Sequence, residues 1–174
     1  MGSLEVLFQT IAQGNLEEFL SKFPHPFLIN ENEEIAEESD SFQTVTTNRS
    51  SAVSPASSRG LRLDSKFVPV RKKKRGKFSN MISVGRTTSN DLTFNHTSIS
   101  KFHAYFIQKN EGLWFLQDAN SSNGTFVNGQ RIPAEVPTPI SDGMTVQFSP
   151  DTRFRFFTAR GLYKHLHDSM VSGS

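Results

Sequence analysis

Apolar residues recur along this chain in two different rhythms. In the first stretch Leu4, Leu7, Phe8 and Ile11 fall at helical spacing. Gly14-Asn15 interrupts them, and Phe19, Leu20 and Phe23 resume the stripe until Pro24 ends it. Asn15 with Glu18 three residues later has the spacing of a capping box. The pattern predicts a short helical segment over residues 1–30. From Lys66 to Lys164 the rhythm shortens to alternating runs: KFVPVRK, NMISVGR, DLTF, HAYFIQ, LWFLQD, GTFVNG, TVQFS and RFRFFT. Turn signals separate them, among them Asn-Gly, Asp-Gly and Gly-Leu. Short strands spaced in this way predict an all-β sandwich or barrel over residues 66–164. The tail GLYKHLHDSM reads as a short closing helix.

Between the two rhythms lies a stretch with neither. Residues 31–65 are acidic at first and then rich in Ser and Thr, with few large apolar residues, and read as a disordered linker. This fits a hydrophobic content of only 35% for the whole chain of 174 residues. Sixteen phenylalanines against one tryptophan and two tyrosines predict a core built on Phe. The net charge of +2 conceals an asymmetry: up to Asp40 there are nine acidic residues and only Lys22, whereas the remainder is strongly basic. The basic part would attract an anionic partner, and the acidic part could serve as one in cis. The absence of cysteine excludes disulfides, thiolate metal sites and cysteine nucleophiles. No apolar run approaches a membrane span and no signal peptide is legible, so a cytoplasmic protein is expected. Leu4 to Gln9, LEVLFQ, resembles the recognition core of a picornaviral 3C protease tag, with Thr10-Ile11 where Gly-Pro is usual. No function is assigned to it.

The candidate chemistry sits between the predicted strands. Gly85-Arg86 ends one strand, Ser100, Lys101 and His103 precede another, and DANSSNGTFVNG supplies Ser122 and Asn123. An arginine, a lysine, two hydroxyls and an amide on three loops suit a phosphate. Arginine offers a bidentate fork, lysine a point charge, and the serines further donors. The asparagine suits the backbone of an extended peptide. Gly85-Arg86, the S-x-x-H of Ser100 to His103, and D-x-x-S-S-N-G-T-F-V-N-G from Asp118 to Gly129 together resemble the forkhead-associated (FHA) domain family. SNDL and DGMTVQF also fit, and the resemblance covers residues 66–158.

The resemblance implies an eleven-stranded β-sandwich that binds phosphothreonine peptides through loops at one end, in the general manner of phospho-motif readers. Arg86 and Ser100 would be the main phosphate contacts, Lys101 and Ser122 further ones, and Asn123 would hold the peptide backbone. Gly85, His103, Asp118 and Gly124 would be structural, and Asn128-Gly129 would form a type I′ hairpin turn. The expected partner is a phosphothreonine-containing protein, such as a Ser/Thr kinase or its substrate. No cofactor is implied. The linker threonines Thr44, Thr46 and Thr47 are candidate phosphorylation sites whose products could occupy the domain's own pocket.

Other readings are weaker. Ser100, His103 and Asp118 could be taken for a hydrolytic triad, but no nucleophile elbow is present. The histidines show no metal spacing. Arg71 to Lys77, RKKKRGK, could be a nucleic-acid patch, yet it lacks interleaved aromatics and reads better as a solvated hairpin. A scaffold module that ignores phosphate is the remaining alternative.

Overall fold

The computed structural model describes residues 3–30, 67–73, 80–110 and 112–172. The linker, with Thr44, Thr46 and Thr47, lies outside the described residues, as does most of the basic stretch. The chain begins with α1 (Ser3–Ala12) and α2 (Leu16–Lys22). Asn15 caps α2, its side chain accepting from the Glu18 N–H at 3.1 Å. Eleven strands follow among the described residues: β1 (Phe27–Asn30), β2 (Phe67–Pro69), β3 (Met81–Gly85), β4 (Leu92–Thr93), β5 (Ala104–Asn110), β6 (Leu113–Asp118), β7 (Phe126–Val127), β8 (Gln130–Arg131), β9 (Thr138–Ile140), β10 (Thr145–Ser149) and β11 (Thr152–Phe157). Helix α3 (Ala159–Ser172) is the last described element. The Thr158 hydroxyl accepts from the Gly161 N–H at 3.1 Å and so caps α3.

Two sheets face each other, in the orders β2-β1-β11-β10-β7-β8 and β4-β3-β5-β6-β9. Pairing is antiparallel except between β3 and β4. The space between them is filled largely by Phe94, Phe106, Phe148, Phe154 and Phe156, all fully buried, with Trp114 beside Phe156. A second cluster covers β1, β2 and β11 from outside. There Leu7, Ile11 and Phe19 of the N-terminal helices meet Phe27, Phe157 and Leu162. Period-two alternation explains the division: Leu28 points into the sandwich, while Phe27 and Ile29 face the helices.

One expectation is corrected here. The helical segment predicted over residues 1–30 does not stay helical: Phe27–Asn30 is a strand, and an interior one, paired with β2 on one side and β11 on the other. The sandwich therefore starts at Phe27 and not at residue 66, and residues 31–66 connect two neighbouring antiparallel strands. Pro24 and Pro26 break the helical run and favour extended backbone around them, and the apolar FLI that follows is buried on both faces. At the other end, helix α3 extends past Lys164 to Ser172.

Strand direction decides which loops cluster. β3 runs into Gly85, β5 starts at Ala104, β6 ends at Asp118 and β7 starts at Phe126, so the β3–β4, β4–β5 and β6–β7 loops share one end. Following antiparallel pairs from β7 through β10 and β11 to β1 puts Asn30 and Phe67 at that same end. Asn30 is opposite Phe154, whose ring lies 5.1 Å from Phe94 and 6.1 Å from Phe148. Phe148 in turn meets the His103 ring edge-on at 5.7 Å.

Candidate functional site

The three clustered loops are tied to one another by short polar contacts. Ser100 Oγ accepts from the Ser122 N–H at 3.0 Å and lies 3.4 Å from Ser122 Oγ, which joins the β4–β5 and β6–β7 loops. Asn123 Nδ2 donates to the Ser98 carbonyl at 2.7 Å and makes a second tie between the same loops. The Arg86 N–H donates to the Ser100 carbonyl at 2.9 Å and brings in the β3–β4 loop. Arg86, Ser100, Lys101, Ser122 and Asn123 thus line one open cleft of about 410 Å³, together with Thr97, Ser98, Ile99 and Phe102.

His103 is the brace beneath. It is fully buried, and its Nδ1 accepts from the Ser100 N–H at 3.1 Å. That assigns the proton to Nε2, which donates to the Gly124 carbonyl at 3.3 Å. Burial pushes the ring's pKa down, against the opposing pull of the Gly124 carbonyl. One neutral imidazole therefore fixes the backbone on both sides of the cleft. Asp118 plays a parallel part. Burial would raise its pKa, but hydrogen bonds from Ser121 Oγ and Thr125 Oγ1, both 2.6 Å, and from the Ser121 N–H hold it below the usual carboxylate range. These contacts rule out a hydrolytic triad. The imidazole bonds the backbone of Ser100, not its hydroxyl, and Asp118 bonds the loop hydroxyls.

Two glycines permit this closeness. A Cβ at Gly85 would lie 2.2 Å from the Lys101 carbonyl oxygen and 2.6 Å from Asn90 Nδ2. Gly124 has φ of 81°, and a Cβ there would lie 2.4 Å from Arg131 Nε. The second Asn-Gly pair is a different device. Asn128 (φ 49°) and Gly129 (φ 78°) are the two-residue turn between β7 and β8, in the left-handed conformation that a type I′ turn needs.

Sequence reasoning passed over Asn90, which is fully buried. Its Nδ2 donates to the carbonyls of Lys101 (2.7 Å) and Thr87 (3.0 Å) and locks the β3–β4 loop against the β4–β5 loop. Its signal was present in SNDL, as a polar side chain just ahead of a strand. Lys72 and Lys73, the described start of the basic stretch beyond Arg71, are engaged by Asp91. Lys72 Nζ lies 3.4 Å from its Oδ2, and the Lys73 N–H donates to its Oδ1 at 3.1 Å. Among the described residues no group of metal-ligating side chains assembles.

Residues 82–149 match the family model of the FHA domain. The three cleft loops all lie within that match. Similar stretches occur in the protein phosphatase 1 regulatory inhibitor subunit PPP1R8 homolog of Arabidopsis thaliana, 32% identical over 63 residues, 36% of this chain and 17% of that protein. The E3 ubiquitin-protein ligase DMA2 of Saccharomyces cerevisiae is 36% identical over 66 residues, 36% of this chain and 13% of the ligase. The matched region thus spans less than a fifth of either relative. Among solved structures, an engineered FHA with Myc-pTBD peptide aligns with a TM-score of 0.48 at 17% identity, covering 82% of this chain and 97% of that one. The FHA domain of CT664 protein from Chlamydia trachomatis aligns with a TM-score of 0.43 at 24% identity, covering 52% and 82%.

Proposed function

We propose that this FHA domain is a non-catalytic adaptor that binds phosphothreonine peptides, with Arg86 as its anchor. The carrying observation is the convergence of Arg86, Ser100, Lys101, Ser122 and Asn123 from three loops on one cleft. Within those loops the acidic side chains are Asp91 and Asp118, and both are engaged by internal donors. The cleft therefore presents cations and donors with no competing carboxylate. A phosphate adds about −1.5 to −2 charges and three acceptor oxygens, which a plain threonine lacks. The natural partner on this reading is a cytoplasmic Ser/Thr kinase or one of its substrates.

The test is a fluorescence-anisotropy titration with phosphothreonine, phosphoserine and unphosphorylated versions of one peptide pool. Saturable binding of the phosphothreonine pool alone is expected. Arg86→Ala should abolish it while the melting temperature stays unchanged, since losing one partner of a hydrogen-bonded charge pair costs about 2–5 kcal/mol. Equal binding by mutant and wild type would refute the site.

The topology favours a second use of the same cleft, by the chain's own linker. Residues 31–66 leave and re-enter the sandwich at the end that bears the cleft. From Asn30 to Thr44 there are fourteen residues, a reach of roughly 45 Å when extended. A tether of this kind gives effective concentrations of about millimolar, enough to fill a micromolar site. Phosphorylation of Thr44, Thr46 or Thr47 should then weaken binding of an added phosphopeptide. Undiminished binding by the phosphorylated chain would end this reading.

A further inference from the structure

Arg131 stands apart from the phosphate cleft and is not used by it. It is the last residue of β8, exposed, opposite Phe126. Its guanidinium lies close to Gly124: a Cβ added there would come within 2.4 Å of Nε, 2.9 Å of Cζ and 3.0 Å of Nη2. Gly124 directly follows Asn123, whose side chain lines the cleft. The glycine thus makes room for an arginine beside the loop that would hold the peptide backbone. No carboxylate of the described residues lies in ion-pair contact with Arg131. In the cleft loops Asp91 is held by Lys72, Lys73 and Ser83, and Asp118 by Ser121 and Thr125; Glu135, exposed in the β8–β9 loop, forms no ion pair with Arg131.

We propose that Arg131 is a specificity residue that pairs with an acidic side chain flanking the phosphothreonine, so that the domain selects phosphothreonine in acidic surroundings. The inference rests on the phosphopeptide reading of the cleft and adds a second charged contact beyond it. The chain supplies a ligand of that chemistry. Glu33, Glu34, Glu37, Glu38 and Asp40 precede Thr44, so a segment of residues 33–47 phosphorylated on a threonine would carry the acidic flank that Arg131 calls for. The complementarity is between the acidic first part of the chain and the basic domain that follows it.

The test uses the full chain and three synthetic peptides phosphorylated at the same threonine. They carry the residue 33–47 sequence, the same sequence with its acidic residues changed to Gln or Asn, and the same with Lys at those positions. Wild type should bind the acidic peptide about two- to fivefold tighter than the neutral one at low salt, the range for an exposed ion pair. The Lys peptide should bind more weakly still. Arg131→Gln should erase that ratio and leave the neutral peptide unaffected, and Arg131→Glu should reverse the order so that the Lys peptide binds best. Unchanged melting curves would show that both variants fold. If Arg131→Glu keeps the wild-type order of the three peptides, the inference falls while the cleft stands. If wild type fails to bind even the neutral phosphopeptide, the cleft reading falls and takes this inference with it.

Discussion

His103 shows how much of this site depends on single residues with two-sided roles. It contributes no atom to the cleft, yet its neutral ring accepts from Ser100 and donates to Gly124. Protonation would put a hydrogen on Nδ1, facing the Ser100 N–H, and would charge a ring that is fully buried. Its pKa is lower in the fold than the ordinary value of 6.5, so below that value the unfolded chain takes up more protons than the folded one. The stabilisation is therefore complete above about pH 6.5 and declines as the pH falls towards the folded-state pKa. His25, half-buried and likewise lowered, acts with the same sign, so the contribution of His103 is the difference between two curves. His103→Ala should cost about 1–3 kcal/mol at pH 8 through unpaired backbone groups, and the deficit should shrink between pH 6.5 and 5. Urea titrations of both proteins at several pH values would measure it; a deficit constant with pH would refute the neutral-ring assignment. At this scale the sequence was most informative. Polar side chains between strands, with the family resemblance, pointed to Arg86, Ser100, Lys101, Ser122 and Asn123, five of the nine residues that line the cleft, but not to Thr97, Ser98, Ile99 or Phe102. Asn90 escaped because its hydrogen bonds to Thr87 and Lys101 come from loop closure, which no local pattern records.

Elements hold these residues in place by how closely their ends approach. Gly85, the last residue of β3, touches the loop that carries Ser100 and Lys101, and the Lys101 carbonyl receives both Asn90 Nδ2 and Thr87 Oγ1. A methyl group at Gly85 would occupy the space of that carbonyl. Gly85→Ala should therefore push the β4–β5 loop outward and lower phosphopeptide affinity at least tenfold. It should also cost about 1–3 kcal/mol in stability, the usual toll of overpacking. Calorimetric titration beside thermal unfolding would separate the two effects, and unimpaired binding would mean that the loop position is not what sets affinity. Most strands were legible from alternation and turn residues. Those missed have physical reasons. β8 and β9 are two and three residues long at sheet edges, too short to show a period. β1 is a brief apolar run behind two prolines, buried on both faces, and so shows no alternation.

For the whole molecule, the decisive feature is that β1 sits between β2 and β11 although the linker separates it from everything it pairs with. Composition marks residues 31–66 as a boundary, and a boundary in composition need not be one in structure. The partners of β1 are a strand beyond the linker and a strand near the end of the chain, which only long-range packing could disclose. The consequence is an unusual tolerance combined with an unusual dependence. Leu28 is fully buried in the sandwich, and Leu7, Ile11, Phe19 and Phe27 are buried in the outer cluster. Each such side chain contributes about 1.5–3 kcal/mol of burial. A chain beginning at Lys66 loses all of these contacts, leaves β11 without a neighbour on one side, and should fail to give a cooperative thermal transition. Cutting the linker inside residues 31–66 removes no described contact. The N-terminal piece should then stay seated as β1 with its helices, because loop closure contributes only a logarithmic entropy term. Limited proteolysis followed by native mass spectrometry would decide the matter. The expected species is a nicked complex with the mass of both pieces, still able to bind phosphopeptide. Separation of the pieces under native conditions would show that the strand is held by its tether and not by its packing.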